Sequence, residues 1–212
     1  EVTIHGGTFS AETMTDTGYG IYNGGITTVN GGTINVHTGT STAYGVYGWA
    51  GTLTLNSGVE INSTVETTTA YGVAANGWID SSTGMHTHGT VIVNDGVIVN
   101  VTASNSTTAY GAYARATNAE LNQTKYNARS ASNRNQYYAV NEEGTTVTNA
   151  LQANYYPYRF GTYVEGGEIT INGGTFNVKT FGSTAIGAGT DLSNLVRTTE
   201  LGRVKVGRGV LN

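Results

Sequence analysis

The chain has 212 residues, room for one elongated domain with a substantial core; 38% of them are apolar and only 11% charged. It has no cysteine, which excludes a disulfide scaffold, and a single proline, which suits a chain made almost wholly of sheet. No apolar run approaches the length of a membrane span, and a net charge of −4 without a continuous basic stripe argues against nucleic acid as a partner.

The first elements set the pattern. Val2-Thr3-Ile4-His5-Gly6-Gly7-Thr8-Phe9 predicts a strand, a tight turn and a second strand. A Thr/Ser-rich connection leads to a third strand at Gly18-Tyr19-Gly20-Ile21-Tyr22. The unit then returns. Thr28-Val29-Asn30-Gly31-Gly32-Thr33-Ile34 precedes Thr42-Ala43-Tyr44-Gly45-Val46-Tyr47, and Leu53-Thr54-Leu55-Asn56-Ser57-Gly58 precedes Ala70-Tyr71-Gly72-Val73-Ala74. Val91-Ile92-Val93-Asn94-Asp95-Gly96 precedes Ala109-Tyr110-Gly111-Ala112-Tyr113. Ile169-Thr170-Ile171-Asn172-Gly173-Gly174-Thr175-Phe176 is a further copy of the first motif, with Phe160-Gly161-Thr162-Tyr163 and Ala185-Ile186-Gly187-Ala188 as worn copies of the third strand.

Counted at Gly20, Gly45, Gly72, Gly111, Gly161 and Gly187, the steps are 25, 27, 39, 50 and 26 residues. A base period near 25 is thus stretched twice by insertions, which indicates stacked supersecondary units. Short β-rich segments satisfy their backbones by parallel pairing with the next unit. The expected fold is all-β: a right-handed parallel β-helix (β-solenoid) of about six coils, a single domain over 1–212 with loop insertions at about 76–89 and 115–144.

Period-two alternation assigns an inner face to each strand. Val2 and Ile4, Leu53 and Leu55, Val91 and Val93, and Ile169 and Ile171 should point inward from the first strand; Phe9, Ile34, Ile61, Ile98 and Phe176 should do so from the second. The residue after the first strand is His5, Asn30, Asn56, Asn94 and Asn172, which predicts an asparagine ladder. In the third strand, Tyr19, Tyr44, Tyr71 and Tyr110 share a parity with Ile21, Val46, Val73 and Ala112, and are expected inside. Tyr22, Tyr47, Tyr113 and Tyr163 are then expected outside; the small residues beside them also allow the inverse, with a tight interior corner.

The two insertions leave after equivalent strands and should project on one side. The first contains His86-Thr87-His88, which fits a solvated loop better than a metal site because Asp80 is the only nearby carboxylate. The second supplies the candidate binding loop: Arg115, Lys125, Tyr126, Arg129, Arg134, Tyr137 and Tyr138, a basic and Tyr-rich composition suited to a host glycan or surface protein. Glu142-Glu143 and Glu165 with Glu168 are the only close acidic pairs. Adjacent residues in a strand face opposite ways, so Glu142-Glu143 does not make the facing carboxyls of a glycosidase. No catalytic residues, metal or cofactor are expected.

The repeated Gly-Gly-Thr-Ile-Asn-Val and Ser-Thr-Ala-Tyr-Gly-Val-Tyr segments resemble the passenger repeats of bacterial autotransporters and related secreted β-helix adhesins. That resemblance implies a secreted or surface-displayed, non-catalytic structural or adhesive module. The alternatives it leaves are a glycan-active β-helix enzyme and a phage tailspike-like glycan binder, since fold alone does not fix function. No segment here is expected to insert in a membrane, and any export signal is expected to have been removed or to lie outside the chain.

Charge is unevenly divided. Residues 1–114 hold seven acidic and no basic residues, and residues 115–212 hold ten basic and seven acidic, so −7 and +3 give the net −4. The terminal segments carry Glu1, Glu12 and Asp16 at one end and Arg197, Arg203, Lys205 and Arg208 at the other, and neither looks capped. Uncapped solenoid ends are open strand edges, so head-to-tail self-association into a homopolymer is expected, with those residues at the interface.

Overall fold

A computed structural model describes residues 1–79, 86–105, 108–118, 139–140, 146–147, 167–193, 203–206 and 210–211. Among them there is no helix. The strands fall into successive units of three. The first unit is β1 (Val2–Ile4), β2 (Thr8–Thr13) and β3 (Gly18–Asn23), and the second is β4 (Ile26–Val29), β5 (Gly32–Thr38) and β6 (Ala43–Gly48). The third is β7 (Gly51–Leu55), β8 (Val59–Val65) and β9 (Ala70–Ile79), and the fourth is β10 (His86–Val93), β11 (Ile98–Ala103) and β12 (Ala109–Asn118). After a short antiparallel pair, β13 (Ala139–Val140) with β14 (Thr146–Val147), the fifth unit is β15 (Glu168–Ile171), β16 (Thr175–Thr180) and β17 (Ala185–Ser193). Strands β18 (Arg203–Val206) and β19 (Val210–Leu211) begin a sixth.

Equivalent strands pair in parallel from unit to unit. The first ladder runs β1-β4-β7-β10-β15-β18, the second β2-β5-β8-β11-β16-β19 and the third β3-β6-β9-β12-β17. Their inner faces share one apolar core: Leu53 and Leu55 from the first, Ile61 from the second and Val46 and Val73 from the third are fully buried together. This arrangement is consistent with a β-solenoid. Each turn after a first strand needs a backbone conformation open to glycine. At Gly32 φ is +107°, and a Cβ there would lie 2.5 Å from the Gly7 carbonyl oxygen of the unit before.

The structure corrects three sequence expectations. Val99, not Ile98, takes the core position in β11: it pairs in register with Ile61 and Phe176, while Ile98 pairs with Glu60 and is 42% exposed. The first tyrosine column lies outside. Gly45 and Val46 are both buried, and a Cβ on Gly45 would overlap Ile61 Cγ2; the same holds for Gly20 against Ile34 and Gly72 against Val99. Two successive inward residues break the alternation, so Tyr44 before them and Tyr47 after them share the outer face. Lastly, β12 pairs directly with β17, Tyr110 facing Ile186 in register. The third ladder thus passes from β12 to β17 with no described strand between them; the Phe160–Tyr163 stretch, read as a worn copy of the third strand, lies outside the described residues.

At the first insertion the strands run on. β9 reaches Ile79 and turns back antiparallel against β10, with Trp78 opposite Thr87 and Gly77 opposite His88. β12 follows β9 out as far as Asn118 opposite Ile79. Both insertions thus leave from neighbouring strands on the same side.

Candidate functional site

The outer face of the third ladder carries a continuous aromatic layer. Tyr19, Tyr44, Tyr71 and Tyr110 stack in order, with ring centroids 5.1, 4.8 and 5.1 Å apart and planes within 12° of parallel. That spacing follows from the distance between hydrogen-bonded strands. Each stacked pair contributes about 0.5–1.5 kcal/mol beyond the area it buries. The second column, Tyr22 and Tyr47, sits three residues on from Tyr19 and Tyr44, and its rings tilt against the first: Tyr44 and Tyr47 centroids are 4.9 Å apart at 49°. Trp49 extends the layer, 6.3 Å from both Tyr22 and Tyr47.

The second column has a gap. Ala74 occupies it in the third unit, in register with Tyr47 on one side and Tyr113 on the other. Arg115 of β12 reaches into this region. Its Nε donates to Asn76 Oδ1 at 3.2 Å, and its guanidinium also donates to the Tyr47 hydroxyl, which must accept because arginine has no acceptor atom. Tyr47 is only 5% exposed although it faces outward, as its neighbours cover it.

Burial, reinforced by Tyr71, pushes the Tyr44 hydroxyl up to about 12; Arg115 acts against the rise. Burial likewise pushes Tyr47 up to about 12, with the Arg115 cation and hydrogen bond opposing it. For Arg115 itself, burial disfavours the charge, but Tyr44, Tyr47 and Tyr113 together outweigh it and raise its pKa above the ordinary arginine value. Among the described residues the site thus holds a permanent cation among neutral phenols. Asp191 of β17 occupies the register position next to Arg115 on the far side from Asn76.

Two asparagine ladders run along the other faces. The expected one is present: Asn56 Nδ2 donates to Asn30 Oδ1 at 2.7 Å, Asn94 to Asn56 at 2.7 Å and Asn172 to Asn94 at 2.9 Å. A second, which sequence reasoning missed, links Asn62 to Asn35 at 3.0 Å, Asn100 to Asn62 at 2.8 Å and Asn177 to Asn100 at 2.9 Å.

The sequence-derived candidates are only partly gathered here. Arg115 lies within β12 rather than at the start of a loop. Lys125, Tyr126, Arg129, Arg134, Tyr137 and Tyr138 lie outside the described residues, as do Arg197 and Arg208. Glu1, Glu12 and Asp16 are exposed in and around the first unit, and Arg203 and Lys205 lie on β18 in the sixth. His88 Nε2 is 3.1 Å from Thr90 Oγ1. Tyr22, Trp49, Ala74 and Asn76 were not singled out as site residues; the signal was a tyrosine column interrupted once, followed by a lone arginine one unit later.

No protein-family model matches the chain, and neither curated proteins nor solved structures show a significant match to it.

Proposed function

We propose that the chain forms a closed, right-handed β-solenoid that serves as a non-catalytic adhesive and structural module on a bacterial surface. The right hand follows the general preference of parallel crossovers. The resemblance of the repeats to autotransporter passengers supports export and surface display. The observation that carries the adhesive reading is the outward aromatic layer, where the repeat sets tyrosines outside against glycines inside. Rigid amphipathic rings give contact area at low entropic cost, which favours a binding face over a merely solvated one.

The test is retention of purified protein on arrayed neutral and acidic glycans and on surface proteins. A Tyr22→Ala/Trp49→Ala variant should bind about tenfold more weakly while keeping the strand signal of the wild type in circular dichroism, the loss expected when aromatic contacts are truncated. No retention of the wild type, or equal retention of both, overturns the reading.

End-to-end association is the structural half of the proposal. Strands β1, β2 and β3 each have a single parallel neighbour among the described strands, and acidic Glu1, Glu12 and Asp16 lie beside them. The basic sixth unit of a second copy, with β18 and β19, would extend the first and second ladders while matching charge. Sedimentation at low salt should show oligomers that an Arg203→Glu/Lys205→Glu/Arg208→Glu variant does not form. A wild type that stays monomeric at high concentration removes this half alone.

A further inference from the structure

The chain has no cysteine and two methionines against 14 tyrosines and two tryptophans, so its oxidisable side chains are mostly aromatic. The fold brings several of them face to face. Tyr44 and Tyr71 stack with centroids 4.8 Å apart and planes 7° from parallel; Tyr71 and Tyr110 do so at 5.1 Å and 12°. These residues pair in register on adjacent parallel strands, so the rings are near-translated copies of one another. The carbon beside each hydroxyl therefore lies about one strand spacing from its counterpart. It sits at the outer end of a partly exposed ring, where the side chain has room to tilt.

The column is also wired to the surface. Tyr19 continues it at 5.1 Å from Tyr44, and Tyr22, 52% exposed, meets Tyr19 at 5.2 Å. Trp49 lies 6.3 Å from both Tyr22 and Tyr47, and Tyr47 lies 4.9 Å from Tyr44. An electron removed at the rim is replaced ring by ring, and the radical passes inward to rings that face each other.

We infer that the stacked column of Tyr19, Tyr44, Tyr71 and Tyr110 is a site of oxidative cross-linking, in which a one-electron oxidant of the peroxidase class joins adjacent rings as dityrosine. Each of two phenols gives one electron to the oxidant and one proton to water. The two radicals bond through the ring carbons beside their oxygens, and the hydrogens on those carbons move to the oxygens to restore both phenols. Hydrogen peroxide takes up the two electrons and two protons and leaves as two waters, so the chain loses two hydrogens per link. A Tyr71–Tyr110 link ties the third unit to the fourth across the first insertion, and a Tyr44–Tyr71 link ties the second to the third. Each closes a loop that unfolding would otherwise open. None of this requires the layer to bind a ligand.

The test is treatment of the dilute whole chain with a haem peroxidase and hydrogen peroxide, read by dityrosine fluorescence, intact mass and peptide mapping. Cleavage at Glu66 and Asp95 puts Tyr44, Tyr71 and Tyr110 in different peptides, so each link is identified directly. The expected product is a monomer lighter by two hydrogens per link, with Tyr71 joined to Tyr44 or Tyr110, that melts higher than the untreated chain. The chain unfolded in urea should scatter its links over tyrosines outside the column. Tyr71→Phe keeps the ring but removes the central phenol, and should lose every link that joins the third unit to its neighbours. Tyr110→Phe should spare the Tyr44–Tyr71 link alone of the two, and serves if Tyr71→Phe fails to fold. Links formed only between molecules, links as scattered in the folded chain as in urea, tyrosine consumed without dityrosine, or an undiminished yield from Tyr71→Phe each overturns the inference.

Discussion

Arg115 donates a hydrogen bond to the hydroxyl of Tyr47 from two units away, across the position where Ala74 interrupts the tyrosine column. The contact joins the second unit to the fourth without passing through the third, so it ties together elements that the ladders connect only in sequence. In a stack whose units touch only their neighbours, such a bridge couples local unfolding.

Arg115→Met should therefore cost about 1–3 kcal/mol in denaturant unfolding, since Asn76 and Tyr47 both lose a charged donor. Adding Ala74→Tyr to that variant should recover part of the loss, because a ring there continues the column. A neutral Arg115→Met would show that the bridge contributes nothing to the fold.

The face assignments lead to a paired prediction. Val99→Asp puts a charge into the sealed core and should cost more than about 3 kcal/mol, enough to unfold the fourth unit. Ile98→Asp, one residue away and exposed, should stay within about 0.5 kcal/mol. Melting temperatures of the two variants decide it, and the reverse order would mean that β11 has slipped by one residue.

That same one-residue shift explains what the sequence revealed and what it hid. The ladder through Asn30, Asn56, Asn94 and Asn172 is legible because asparagine recurs directly after an alternating strand. The ladder through Asn35, Asn62, Asn100 and Asn177 is just as regular, but aligning Ile98 with Ile61 moves Asn100 out of the column and conceals it. Register decides every side chain's face when the period is two. The tyrosine column failed for a different reason. Alternation was carried through Gly45-Val46, where both residues turn inward because only a hydrogen fits against Ile61. The bridge of Arg115 to Tyr47 joins residues 68 positions apart, and only the stacking of units brings them together.

The ladder predicts a graded loss. Asn94 both donates to Asn56 and accepts from Asn172, whereas Asn30 accepts from Asn56 alone. At about 1 kcal/mol per hydrogen bond, Asn94→Ala should cost about 2 kcal/mol and Asn30→Ala about 1 kcal/mol. Chemical denaturation of the two variants checks the ratio. Equal losses would mean that the amides bond to water as readily as to one another.

Alkali should find the tyrosines last. Tyr44 and Tyr47 hold their protons up to about 12 in the folded chain, whereas an unfolded tyrosine releases its proton near 10. Between these values the native state binds more protons than the unfolded one, so stability falls as pH rises; below pH 10 the contribution is fully present. Each ring accounts for a loss on the order of 2 kcal/mol across that window. Absorbance of tyrosinate should therefore show at least two rings, Tyr44 and Tyr47, that resist titration until near pH 12 and then titrate together with loss of the strand signal in circular dichroism. Arg115→Met removes the cation that favours both phenolates, so it should move the two rings to still higher pH rather than lower. A titration in which every tyrosine ionises near pH 10 with the fold intact would show that the layer is open to water and that the bridge does not form.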